Sequence, residues 1–301
     1  MDNLNSKFMQ GLGFLLLAQI MVAVNIVFSK YLVSSLPLLF MLTVRFGLAA
    51  FILIILHWLS PARKISLSKH FSKLNKKDWI FILAQALTAG VFFNCLMLLG
   101  LKYTDANIAG IITSALPATI ALMSSIFLKE TISGKKIICI MFATFGLLII
   151  AWDKFHGLGI NHSFFGDFII LLSLLPEASY YILSKLHKNP LPVFLVSSLI
   201  NAVNALILMP FILFFHLDAL TITGYTWFIL LALGLSSGLF YVFWYFGSQR
   251  VDGLLASLST AVMPMATVIL AWLILGEQLS ISEGLGMGLV IFSIAIYAKQ
   301  A

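Results

Sequence analysis

Apolar runs of about twenty residues recur along almost the whole of this chain, broken by short segments that carry charge, proline or glycine. A run of that length crosses the hydrocarbon of a bilayer as a helix, because a helix satisfies its own backbone hydrogen bonds and shows lipid only its side chains. The runs fall near 11–32, 37–58, 79–101, 106–128, 135–152, 166–186, 192–215, 225–247, 253–275 and 282–298. With 61% of residues hydrophobic and only 10% charged, no hydrated surface for a soluble domain can be assembled. The expected fold is therefore all-α, with ten transmembrane helices. Lys7 precedes the first run as it would in a signal peptide, but that run is too long and lacks a small-x-small cleavage pattern, so it reads as a span.

Charge orients the spans. The segment from Ser60 to Asp78 carries Arg63, Lys64, Lys69, Lys73, Lys76 and Lys77 and belongs on the cytoplasmic side by the positive-inside rule. Counting spans outward from it puts only Lys30, Lys102 and Lys154 outside and places both termini in the cytoplasm, as expected for a protein of the plasma (inner) membrane. The net charge of +7 sits between the runs and not on a basic face interleaved with aromatics, which argues against nucleic acid as a partner. The two cysteines, Cys95 and Cys139, build neither a disulfide framework nor a metal site. All six histidines fall at span ends or in loops, so neither a metal nor another cofactor is expected. Gly234, Ser236 and Gly238 formally match a nucleophile elbow, but the match lies in an apolar helix without the strand-to-helix turn that the chemistry needs, and no enzyme is expected.

The chain repeats itself. Residues 93–133 lie over 240–280 without a gap, an offset of 147, matching Gly100 with Gly247, Asp105 with Asp252, Thr113 with Thr260, Pro117 with Pro264 and Glu130 with Glu277. A second offset, 155, lays Ser29, Lys30 and Pro37 over Ser184, Lys185 and Pro192. Two halves follow, 1–152 and 153–301, each of five spans. An odd number of spans turns the second half upside down relative to the first. Inverted repeats around a central cavity are the mark of alternating-access carriers.

Leu254 through Tyr297, with Pro264, the run Leu275-Gly276-Glu277 and Gly284, Gly286 and Gly288, resembles the repeat unit of EamA-type carriers of the drug/metabolite transporter superfamily. The first copy, Ala109 to Ile150, resembles it too, with Lys129 where the family usually has glycine, and Val44 through Ala50 resembles the Arg-Phe-small segment of the family's second span. The resemblance implies a ten-helix carrier with a central cavity. It does not name the cargo.

Ionisable groups in hydrocarbon are costly, which singles out Glu177 and Arg45. Glu177, Tyr180, Tyr181 and Ser184 share one helix face by their spacing, expected to look into the cavity. The competing reading pairs Glu177 with Arg45 or has it cap the backbone near Pro176. The resemblance implies an aromatic residue where this chain has Glu177, a departure that points to a cationic or zwitterionic cargo or to protons as a coupling ion. Because the resemblance makes Arg45 a general feature, its expected role is architectural. Tyr241, Trp244, Tyr245 and Ser248 form a second face, suited to stacking or to holding an ammonium group. Asn201 is a further candidate for the cavity. Gln85 and Asn94, nine residues apart, fall on opposite faces of an α-helix, so at most one is expected to line it.

Pro117 and Pro264 free backbone carbonyls at mid-span, for gating or for kinked packing. Asp105 and Asp252 are expected to cap helices, and Gly284-x-x-x-Gly288 to mark close helix packing. The expected function is transport of a small metabolite by alternating access, foremost export of an amino acid or similar amine. A carrier of cationic drugs or quaternary amines is the alternative, with an intramembrane enzyme a distant third. Oligomeric state stays open.

Overall fold

The computed structural model describes residues 2–104, 106–127, 163–212, 222–251, 253–276 and 281–300, with scattered positions between 134 and 149 and at 278. Helices are α1 (Asp2–Leu32), α2 (Leu38–Leu59), α3 (Lys76–Leu101), α4 (Ala106–Ile112 and Leu116–Phe127 joined by a 3-10 turn, Thr113–Ala115), α5 (Phe164–Leu186), α6 (Val193–Ile212), α7 (Gly224–Ser248), α8 (Gly253–Ser259 and Val262–Leu270, running into a π turn, Ala271–Leu275) and α9 (Ile281–Gln300). No strand occurs among the described residues. Seven of these helices are long and apolar enough to cross a membrane, and Leu116–Phe127 is a shorter apolar helix. A helix stands at every predicted span whose residues are described. The predicted fifth span, 135–152, lies largely outside them, as do Asp105, Glu130, Asp252 and Glu277.

Boundaries follow local chemistry. α1 starts nine residues before the apolar run because Asp2–Gln10 holds no proline or glycine to stop a helix propagating into polar surroundings. The basic connector after α2 is not featureless: it forms a 3-10 turn, Pro61–Lys64, and a short helix, Leu67–Phe71. α3 then opens on a capping box in which Asn75 accepts from the Asp78 N–H and Asp78 accepts from the Asn75 N–H. Within α3, residues Ala86–Phe92 take π geometry.

Packing is apolar on both sides of most helices, with polar groups turned inward. Phe51, Leu122, Ile126, Phe168 and Phe228 are exposed, while Gln19, Arg45, Asn94, Glu177, Asn201 and Asn204 are buried. That inversion suits a lipid exterior. α2 lies along α6, where Ser198 Oγ donates to the Ala50 carbonyl at 2.8 Å, α1 lies along α7, and α3 lies along α5. The last two crossings bring backbones together at glycine. A Cβ on Gly100 would fall 2.4 Å from Ile170 Cγ1 and 3.0 Å from Gly166 O; one on Gly247 would fall 2.6 Å from Leu15 Cγ and 3.0 Å from Gly11 O. Gly100 and Gly247 differ by 147 positions, while Gly11 and Gly166, like Leu15 and Ile170, differ by 155. Gly284 and Gly288, expected to mark another close contact, have no neighbour within 4 Å of where a Cβ would sit, because their face of α9 meets none of the described residues that closely.

α4 and α8 loosen at matching places. A proline cannot donate to the carbonyl four residues before it, so Thr113 O ahead of Pro117 and Thr260 O ahead of Pro264 lose that partner. Each carbonyl instead accepts a 3-10 bond, from the N–H of Leu116 and of Met263. The Pro117 carbonyl accepts from Ser257 Oγ at 3.0 Å and joins the two helices.

Valine at Gly100 or Gly247 is expected to destabilise the fold by about 1–3 kcal/mol, the usual cost of overpacking. Thermal unfolding in detergent should show both variants melting well below the parent. Gly13→Ala, whose added methyl meets nothing within 4 Å, should melt with it.

Candidate functional site

Two cavities among the described residues lie between the helices and draw on both α5 and α7. The outer one, of about 170 Å³, is lined by Gln85 from α3, Tyr180, Ser184 and Lys185 from α5, Ser197 and Ile200 from α6, and Tyr241, Trp244, Tyr245 and Ser248 from α7. Exposed Lys188 and Gln249 form its rim, so it opens where α5 and α7 end. His187, also at this mouth, stacks on Phe81 and sets Nε2 2.6 Å from Asp78 Oδ1, which ties the end of α5 to the start of α3.

The inner cavity is small, about 30 Å³, and is lined by Asn25, Arg45, Asn94, Glu177, Ser237 and Tyr241 among others. Tyr241 lines both cavities and stands between them, its ring edge-on to Tyr180 at 5.5 Å. An aromatic cluster continues from there: Tyr181 lies 4.2 Å from Trp244 between ring centres, and Trp244 Nε1 donates to Ser184 Oγ at 3.1 Å.

Arg45 and Glu177 are each 1% exposed. Taking a charge out of water without a partner is costly, so their partners matter. Arg45 Nη1 donates to Ser29 Oγ at 3.4 Å, and Nη2 donates to Asn94 Oδ1. Glu177 Oε1 accepts from the Tyr181 hydroxyl at 2.9 Å, while Oε2 and Arg45 Nε have no hydrogen-bond partner among the described residues. The two charged groups line one cavity, yet no ion pair within 4.0 Å joins them. The competing expectation for Glu177, a bond to Arg45 or a cap near Pro176, is thus replaced by a bond one helical turn onward along its own face.

The π segment of α3 makes this arrangement. Its wider turn leaves the carbonyls of Ala89 and Gly90 within 2.7 Å of Asn94 Nδ2, which donates to both. With both amide hydrogens engaged, Asn94 Oδ1 is left to accept from Arg45. Gln85 reaches the outer cavity and Asn94 the inner one, so each cavity takes only one of the two, as their nine-residue spacing implied.

Of the other sequence candidates, Tyr180, Tyr241, Trp244 and Tyr245 line the outer cavity, and Tyr181 backs it through Glu177 and Trp244. Asn201 lines neither: buried on α6, it donates from Nδ2 to the Ser197 carbonyl at 2.8 Å. Pro117 and Pro264 lie outside both linings. Sequence reasoning missed Ser29 and Ser237, whose hydroxyls look like any helical serine until the partners, Arg45 and Asn25, are seen.

An apolar helical bundle with inward polar cavities is the architecture of an integral membrane transporter. The match to the model of the EamA-like transporter family, over residues 9–152 and 164–298, is decisive: the chain belongs to this family of the drug/metabolite transporter superfamily. It is 28% identical over 284 residues to the uncharacterized transporter YetK of Bacillus subtilis, covering 93% of this chain and 84% of that one. It is 24% identical over 234 residues to an uncharacterized transporter of Archaeoglobus fulgidus, covering 76% and 80%. A solved structure described only as a crystal structure of protein superposes with a TM-score of 0.74 at 17% identity, over 98% of this chain and 97% of that one, and so shares the fold.

Asn94→Leu removes the partner of two carbonyls and of Arg45. A loss of about 1–3 kcal/mol is expected for groups left buried without a bond, read as a lower melting temperature in detergent. Gln249→Ala, on the open rim, should leave it unchanged.

Proposed function

We propose that this transporter carries a small zwitterion, an amino acid or close relative, and exports it by alternating access between two inverted five-helix halves. One observation carries the reading. A guanidinium and a carboxylate face the same buried cavity without pairing. Opposite charges in so apolar a setting attract strongly. A site that holds them apart is suited to a cargo bearing a carboxylate for Arg45 and an ammonium for Glu177. The cargo's side chain would lie toward Tyr241, Tyr180 and Trp244, whose faces accept apolar or aromatic groups. A permanently cationic cargo, the alternative, finds Glu177 and the aromatic faces attractive but gains nothing from Arg45, so the zwitterion is preferred.

The two-halves reading draws support from packing. The glycine crossings of α3 with α5 and of α7 with α1 exchange under the repeat offsets, the proline-loosened turns of α4 and α8 do the same, and the family model matches each half separately. Export accords with a cavity that opens among Lys185, Lys188 and Gln249, at the end assigned to the cytoplasm by charge. In this reading the proton is the coupling ion, taken up by Glu177 once cargo leaves.

The test is binding and counterflow in proteoliposomes with a panel of amino acids, amines, sugars and nucleosides. Glu177→Gln and Arg45→Gln should each weaken binding of the active compound between about tenfold and a hundredfold, the range for losing a charged hydrogen bond. An imposed proton gradient should accelerate transport by the parent and not by Glu177→Gln. Unchanged affinity in both variants would remove the site, and indifference of the parent to the gradient would leave facilitated diffusion.

A further inference from the structure

The open end of the carrier has a counterpart at its closed end. Under the repeat offsets, on whose two-halves reading this inference rests, Ser184, Lys185, Trp244 and Ser248 of the outer cavity fall on Ser29, Lys30, Met97 and Leu101. The second set lines neither of the two cavities described: Ser29, Met97 and Leu101 are buried at the opposite end of the bundle. Lys30 spans that end. Its Nζ donates to the carbonyls of Leu101 at 3.1 Å and Thr104 at 2.7 Å, where α3 finishes.

The last carbonyls of a helix have no partner within the helix and sit at the negative end of its dipole, so an ammonium there is both a cap and a favourable charge. Such a bond lies near the membrane surface, where water can take over each group's hydrogen bonds when it breaks. Its net strength is accordingly modest, which suits a contact that must open on every cycle.

We propose that Lys30 is a latch that holds the outer end of the carrier shut, and that Lys185 is its counterpart at the cytoplasmic end. In the outward-open state Lys185 would bond the carbonyls of Ser248 and Val251, the positions 147 beyond Leu101 and Thr104. Lys30 would then let go, and Met97 and Leu101 would line the outer vestibule.

A membrane-impermeant maleimide tests this on the full chain with Cys95 and Cys139 changed to serine. Leu101→Cys is labelled from outside in intact cells, and Gln249→Cys from the cytoplasmic face in inverted vesicles. Lys30→Met should speed labelling at position 101 on the order of tenfold, as loss of a charged contact of modest net strength shifts a two-state population, and slow it at position 249. Lys185→Met should do the reverse, and Lys30→Arg, which keeps its donors, should stay near the parent. Faster labelling at both positions would mean general loosening and would overturn the latch. If Leu101→Cys is labelled slowly but to completion and Lys30→Met leaves its rate unchanged, the latch fails while alternation between two states stands. If position 101 is never labelled in folded protein under any variant, the two-halves reading fails with it.

Discussion

Asn94 is the point on which the interior turns. A π segment in the middle of α3 exposes two carbonyls to its side-chain amide, which binds both and presents its remaining oxygen to Arg45. Ser29 takes a second hydrogen of the guanidinium. On the far side of the same cavity Tyr181 holds Glu177 by one oxygen. Each group is held by side-chain hydrogen bonds, but Arg45 Nε and Glu177 Oε2 keep bonding capacity in hand. Without Asn94, only the longer bond to Ser29 among these contacts would keep the guanidinium on its own side of the cavity.

The surrounding bundle is built so that such a site can exist. In lipid there is little hydrophobic drive between helices, so close backbone approach matters more, and glycine permits it at the crossings of α3 with α5 and α7 with α1. Proline and 3-10 geometry weaken α4 and α8 at the same relative position, and a serine of one helix accommodates the other through the Pro117 carbonyl. Rigid crossings flanking softened helices accord with the proposed rocking of two halves. His187, Phe81 and Asp78 join the mouth of the cavity to the first turn of α3, so the basic connector and the outer cavity are mechanically linked.

Most of the membrane fold was legible, because twenty-residue apolar runs are dictated by bilayer thickness and leave few alternatives. Of the face expected from the spacing of Glu177, Tyr180, Tyr181 and Ser184, all but Tyr181 reach a cavity, because within a continuous α-helix spacing decides direction. Across α3 the spacing of Gln85 and Asn94 also held, sending them to different cavities, but the π turn of Ala86–Phe92 that frees the Ala89 and Gly90 carbonyls for Asn94 is not written in any residue type there. Asn201 lines neither described cavity, its Nδ2 donating to the carbonyl of Ser197 one turn back, a local bond open to any helical asparagine. Gly284 and Gly288 had the spacing of a packed seam, but spacing says nothing about which neighbour comes to fill it.

In the proposed site, two charged groups that do not pair with each other around one cavity recognise the two charges of one cargo. Competition against counterflow of whichever amino acid the protein transports measures this most directly, using the decarboxylated amine and the deaminated acid of that same compound as competitors. Each analogue should compete at least about tenfold less well than the parent compound, since each forfeits one charged contact. An amine that competes as well as the intact amino acid would contradict it, because the cargo would then be read by Glu177 and the aromatic faces alone.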